Sequence, residues 1–350
     1  MSAENIKPAG IKQIADALGI SIGTVDRALH TRPGVSATTR DRVLKMAEKL
    51  RYKPNVAARS LKLNRTFRVG VFLPREIGSF FDALRDGIRA AAEQVGASVA
   101  LEFYSYPRLG VGDVAALKKN GWDRFDGLIL APAEPLKLAA ITKAAAKSGK
   151  PMVFVATDAP GLTRCVSIAT DAVVSGSVAA ELLGRFVRET GPVALFTGSL
   201  KIEDHAEKCR GFSDSLSSFA PHLKLLPVIE THESEEEAYR EAVALLKRER
   251  NLCGVYINTA NSVPVLRAIR ESKRALTVIA TDLFPELVRL IESGLVTASL
   301  HQRPFTQGRL AFEAMYRALQ GGEVSVTRVA PHVVLRSNLG LFTPGLERES

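Results

Sequence analysis

The chain has 350 residues, is 46% apolar and 24% charged, and carries a formal net charge of +10, a make-up expected of a globular protein with room for two or three cores. Met1 to Gly10 lacks an apolar stretch, and nothing later approaches the roughly 18 consecutive apolar residues of a spanning helix, so neither a signal peptide nor a membrane segment is expected and the cytoplasm is the expected location. Cys165, Cys209 and Cys253 are far apart, with no CxxC pair and no histidine at zinc spacing, which argues against a disulfide framework or a metal centre and for thiols in a reducing compartment.

The charge is unevenly placed. Up to Arg68 there are 14 Lys and Arg against 5 Asp and Glu, or +9, while the remainder holds 33 against 32. A basic head on a near-neutral body implies a polyanionic partner for the head alone.

In chain order, residues 1–9 read as a tail and residues 10–53 as a three-helix unit. Ile11, Ile14, Ala15 and Leu18 fall on one helical face, and Gly19 suits the left-handed end of that helix. Ser21 offers an N-cap for a second helix over Ile22 to Leu29, with Val25, Ala28 and Leu29 inward and Gly23, Asp26, Arg27 and His30 outward. Two short helices joined by a glycine-containing turn form a helix-turn-helix, whose second helix would lie in the major groove of DNA. Ser36 to Thr39 supplies caps for a third helix running to about Leu50, with Val43, Ala47 and Leu50 inward. Pro54 stops it and opens a short segment in the linker, residues 54–66, too short to be a stable helix without a partner.

Ile11-Lys12-Gln13-Ile14-Ala15, Gly19-Ile20-Ser21, Thr24-Val25-Asp26-Arg27-Ala28-Leu29, Pro33-Gly34-Val35-Ser36, Thr39-Arg40, Tyr52-Lys53-Pro54-Asn55 and Ala57-Ala58-Arg59-Ser60-Leu61 resemble the head and hinge of the lactose-repressor (LacI) family without a gap. The resemblance implies base reading by Ile22, Gly23 and Arg27, with Ser21, Thr24, Asp26, His30, Ser36, Thr39, Asn55 and Arg59 as further DNA-side positions. It also implies a dimeric hinge that wedges Leu61, with Ala58 beside it, into the minor groove, where an apolar side chain unstacks a base step and bends the duplex. Asp26 stands where the family usually has Ser, and Gly23 has no side chain to read with, so a distinct operator preference is expected.

From Arg68 the pattern alternates. Strands are expected at Val69–Leu73, Val99–Phe103, Gly127–Leu130 and Met152–Val155, with helices at Phe80–Gln94, Val114–Lys119 and Leu136–Ser148. A long helix follows Thr170-Asp171 to about Thr190. Strands then recur at Val193–Thr197, Leu225–Ile229, Gly254–Ile257, Val278–Thr281 and Ala298–His301, the last leading into a helix over Thr306–Gln320. The expected fold class is an all-α helix-turn-helix head on an α/β body, residues 67–350, of two doubly wound parallel-sheet lobes: lobe 1 at about 67–170 and 303–327, lobe 2 at about 171–302 and 328–350.

Phe80-Phe81-Asp82-Ala83-Leu84-Arg85-Asp86-Gly87, Asp126-Gly127-Leu128-Ile129-Leu130, Gly211-Phe212, Gln302-Arg303-Pro304 and Gln307-Gly308 resemble the type I periplasmic sugar-binding proteins, the effector domain of LacI-family regulators. The resemblance implies a cleft in which Phe80 and Phe81 pack on a sugar ring while Asp158, Asn258, Asp282 and Gln302 meet its hydroxyls. Core packing remains open for the two phenylalanines, and turn capping for Asp158 and Asp282. Arg75, His205 and Lys208 add cations that would suit a sugar acid or phosphorylated polyol.

No catalytic motif is found, and Glu203-Asp204-His205, the tightest acid–histidine cluster, reads as an exposed helix start. No enzyme activity, cofactor or metal is expected. The expected function is a homodimeric, DNA-binding transcription regulator, more a repressor than an activator, with palindromic double-stranded operator DNA and a small sugar, sugar acid or polyol derivative as partners and no membrane association. The alternative is a solute-binding protein without a regulatory role.

Overall fold

The computed structural model describes residues 11–29, 34–50, 66–109, 111–132, 135–162 and 165–342. The chain divides into two compact units, Met1–Thr66 and Phe67–Ser350. His30, Asn55, Ala58, Arg59 and Leu61 lie outside the described residues.

The first unit holds α1 (Ile11–Leu18), α2 (Ile22–Leu29) and α3 (Ala37–Lys49). Ile14, Ala15, Val25, Ala28 and Val43 form its miniature core, and Leu29, Ala47 and Leu50 pack half-buried against it. Gly19 takes φ +63°, a left-handed bend that glycine adopts without a Cβ penalty, and so turns the chain between α1 and α2.

Lobe 1 of the second unit is built on β1 (Phe67–Pro74), β2 (Val99–Tyr106), β3 (Gly127–Leu130), β4 (Met152–Val155), β5 (Cys165–Thr170) and β12 (Thr327–Val329). Their order is β12-β5-β4-β3-β1-β2, all parallel. β3 and β4 are buried along their whole length, as strands covered on both faces must be. Around them lie α4 (Gly78–Glu93), α5 (Asp113–Lys119), α6 (Pro135–Lys147) and α12 (Pro304–Leu319), with α12 packed on α4.

Lobe 2 orders β13 (His332–Val334), β11 (Ala298–His301), β10 (Thr277–Thr281), β9 (Gly254–Ile257), β6 (Gly191–Thr197) and β7 (Leu223–Leu225), with β8 (Ile229–Glu230) also paired to β6. Among the described strands of this lobe, β13 alone runs antiparallel to its neighbour. Two apolar cores cover the faces of this sheet, one around Leu266 and Ile269, the other around Phe212 and Tyr256. They are closed by α7 (Ala172–Phe186), α8 (Glu203–Phe219), α9 (Glu235–Arg248), α10 (Val263–Ser272) and α11 (Pro285–Glu292). α7 and α8 approach closely, since a Cβ at Gly211 would stand 2.1 Å from the Val173 carbonyl oxygen.

Four sequence expectations are corrected. β5 was not anticipated, because Ser167 and Thr170 dilute its apolar signal although both are buried. The single strand at Leu225–Ile229 is two, separated by Pro227, which has no amide hydrogen for a ladder. The helix after Asp171 ends at Phe186 rather than Thr190. Residues 328 and 329, expected in lobe 2, belong to β12 of lobe 1, so the last crossing between lobes comes after Val329.

Candidate functional site

In the head, Ser21 stands at the start of α2, and its Oγ accepts the Thr24 amide at 3.1 Å. Ser36 repeats the device for α3, accepting the Thr39 amide at 3.2 Å. These caps satisfy amides that a helix start leaves unpaired. The solvent side of α2 presents Ile22, 52% exposed, with Gly23 and Arg27 exposed and Thr24 and Asp26 half-buried. An added Cβ at Gly23 would sit 3.7 Å from Arg27 Nη1 and one at Gly34 3.9 Å from Arg27 Cδ. Both distances are ordinary van der Waals contact, so the Arg27 guanidinium lies along the first turn of α2 without requiring a glycine at position 23.

In the body, seven of the expected effector residues line one small chamber of about 30 Å³: Phe80, Phe81, His205, Lys208, Asn258, Asp282 and Gln302. They arrive from the start of α4, the first turns of α8, the carboxyl ends of β9 and β10, and the crossing after β11. Carboxyl ends of parallel strands are where open α/β sheets bind ligands. The chamber shares Ile77 and Ala260 with an outer cleft of about 820 Å³.

The chamber's polar groups form a chain. Lys208 Nζ donates to Asp204 Oδ2 at 2.6 Å and to Gln302 Oε1 at 2.8 Å. Gln302 Nε2 donates to Asp282 Oδ2 at 2.8 Å. The Gln302 carbonyl accepts from Thr170 Oγ1 at 3.0 Å and from Gln307 Nε2 at 2.8 Å. Gln302 therefore links the chamber to the end of β5 and the start of α12. Asp204 N donates to Thr157 Oγ1, tying α8 to the loop after β4 across the lobes.

Burial pushes the Asp282 carboxyl above its ordinary value, with Lys208, His301 and Gln302 opposing. Burial holds the His205 imidazole below its ordinary value, partly offset by Glu233 and Asp204. His205 Nδ1 accepts the Ser199 amide at 3.1 Å, so its proton sits on Nε2, 3.7 Å from Glu233 Oε1. Glu233 in turn accepts from Thr259 Oγ1 at 2.8 Å.

Backbone strain gathers here. Seven described non-glycine residues have positive φ, and six of them, Ile77, Ala156, His232, Glu233, Asp282 and Arg303, lie in the loops around the chamber and cleft. Such conformations cost about 1–3 kcal/mol each and persist where the surroundings impose them.

Two expected residues are not brought to the chamber. Arg75 is exposed and does not line it. Asp158 caps the Ala159 amide at 2.7 Å and pairs with Arg328 of β12 at 2.6 Å. Sequence reasoning missed Ile77, Leu109, Ala156, Thr259 and Ala260 of the lining, and it placed Asp204, 8% exposed, on an exposed helix start. The i, i+4 spacing of Asp204 and Lys208 was the available signal for that pair. Among the described residues, no group of His, Cys, Asp and Glu is placed to hold a metal, and no helix is long and apolar enough to cross a membrane.

A family model described as "Bacterial regulatory proteins, lacI family" matches residues 10–55. One described as "Periplasmic binding protein domain" matches residues 69–323. The regulator DegA of Bacillus subtilis (strain 168) is 24% identical over 262 residues, 74% of this chain and 76% of its own. The repressor PurR of Vibrio campbellii is 32% identical over 93 residues, 27% of this chain and 28% of its own. The matched stretches span 20–28% of the length of the first four curated relatives. Among solved structures, the glucose-galactose binding protein GanP of Geobacillus stearothermophilus has a TM-score of 0.72 at 24% identity, covering 79% of this chain and 99% of that one. A solute-binding protein of Agrobacterium vitis bound with alpha-D-tagatopyranose has a TM-score of 0.74 at 22% identity, covering 81% and 98%. At these identities the structural likeness establishes the fold.

Proposed function

We propose, from the premise that the chain belongs to the lacI family of bacterial regulatory proteins with a periplasmic binding protein domain as its body, that it is a transcription repressor controlled by a small effector. Two copies read a palindromic duplex operator, each placing α2 in a major groove with Ile22, Gly23 and Arg27 toward base edges. Leu61 and Ala58 of the hinge, with Asn55 and Arg59, serve the minor groove between the half-sites. The protein acts in the cytoplasm and has no catalytic step.

The effector is polyhydroxylated and sits between the lobes. Phe80 and Phe81 meet its apolar face, while Asn258, Asp282, His205, Lys208 and Gln302 meet its polar edge. The observation that carries this reading is the gathering of those seven side chains around one chamber, where Gln302 bonds Lys208 and Asp282 of one lobe and Thr170 of the other. An effector there biases the angle between the lobes, and its differential affinity for the two states sets how far DNA affinity can shift.

Fluorescence anisotropy of the full chain with operator-length DNA from its own promoter region, with and without sugars, tests the proposal. Palindrome-specific binding that shifts with one sugar is expected, and binding to no duplex would end it. The second reading, a solute-binding protein, is favoured by the structural neighbours; sugar binding without DNA binding would support it.

A further inference from the structure

We propose that the outer cleft and the chamber at its floor together select a polyhydroxylated ligand that carries a protonated amine, of the amino-sugar or amino-polyol class; this rests on the effector reading above. The chamber is short of donors and rich in acceptors. Asp204 is 8% exposed and Asn258 fully buried, yet Asp204 Oδ1 and Asn258 Oδ1 accept no hydrogen bond among the described residues. Asn258 Nδ2 is already spent on the His205 carbonyl and Cys209 Sγ. Gln302 Nε2 donates to Asp282, and two of the three Lys208 Nζ protons go to Asp204 and Gln302. A ligand that fits must bring donors, because a buried acceptor without a partner is costly.

The charge balance points the same way. Lys208 is paired with Asp204, the buried Asp282 carboxyl has only the Gln302 amide as its side-chain donor among the described residues, and Glu233 lines the adjoining cleft beside the neutral His205. The outer cleft adds Glu76, Glu235, Glu236 and Glu286 against Arg267, whose guanidinium stacks on Tyr239 at 4.2 Å from the ring centroid. Glu235 and Glu236 also favour the first turn of α9, but they project a negative field into the same mouth. A sugar acid would add charge of the wrong sign. A neutral sugar would satisfy acceptors and leave the acidic mouth of the cleft without a counter-charge. An ammonium group supplies donors and offsets charge together.

Isothermal titration of the full chain decides among these. The probes are D-glucosamine, D-galactosamine and D-mannosamine, their parent hexoses and the matching uronates, at neutral pH. One amine is expected to bind at least about tenfold tighter than its parent hexose, a difference worth about 1.4 kcal/mol, with the uronate weakest. Asp282→Asn and Glu233→Gln should each shrink that preference, with melting curves checking that both variants fold. A hexose or uronate that equals or exceeds its amine overturns the amine claim and leaves the polyol effector standing. A preference unchanged in both variants overturns the role given to these carboxylates. Binding by no probe overturns both the amine claim and the polyol reading beneath it.

Discussion

Lys208 illustrates what a buried cation costs and holds. It is 1% exposed and donates one hydrogen bond to Asp204 and one to Gln302. Lys208→Met keeps the stem but leaves the Asp204 carboxylate uncompensated, so a loss of about 3–5 kcal/mol is expected in denaturant melts. The double variant Asp204→Asn with Lys208→Met should recover much of that loss; a fully additive pair would deny the coupling. His205 gives a pH signature. Its folded-state value lies below the ordinary 6.5, so the unfolded chain binds the proton more readily. The stability it contributes is present above about 6.5 and is lost as pH falls below 6.5 toward the folded-state value. Melting temperature should drop across that window, and His205→Asn should flatten the drop. In the head, Arg27→Ala is expected to cost about 1–3 kcal/mol on the operator and relax one base position, with a smaller loss on random duplex.

At the scale of elements, the pairing of α7 with α8 depends on missing side chains. Gly211→Ala would drive a Cβ against the Val173 carbonyl. Backbone cannot yield cheaply, so a loss of about 1–3 kcal/mol or more is expected, read as a lower melting temperature of the body with the head's helicity unchanged. Most elements were legible because their signals are local: α2 has a serine cap and a one-sided apolar stripe, and β3, β4 and β9 are unbroken apolar runs. β12 and β13 were not, because short edge strands owe their pairing to neighbours distant in sequence, and β5 was not, because its buried Ser167 and Thr170 interrupt the apolar run. The chamber was half legible. Phe80, Phe81, His205, Lys208, Asn258, Asp282 and Gln302 follow strand ends in sequence order, where ligands gather. The left-handed residues Ile77 and Ala156, and the partnership of Asp158 with Arg328, depend on tertiary packing that no residue type announces.

For the whole molecule, the division of charge sets how it meets DNA. Nearly all of the net +10 resides before residue 69, so the head should supply the ionic part of binding and the body little of it. Operator affinity measured between about 50 and 200 mM salt should fall by roughly a thousandfold or more if about six phosphates are neutralised; a flat response would contradict phosphate contact. The chain passes between the lobes three times, after Thr170, after His301 and after Val329. Val329 pairs with Thr170, His301 pairs with His332, and Thr170 bonds the carbonyl of Gln302, so the passages lie side by side. The three straps make one narrow band about which the lobes join. Each lobe is therefore assembled from separated stretches of chain, and neither can be excised as one continuous stretch of gene.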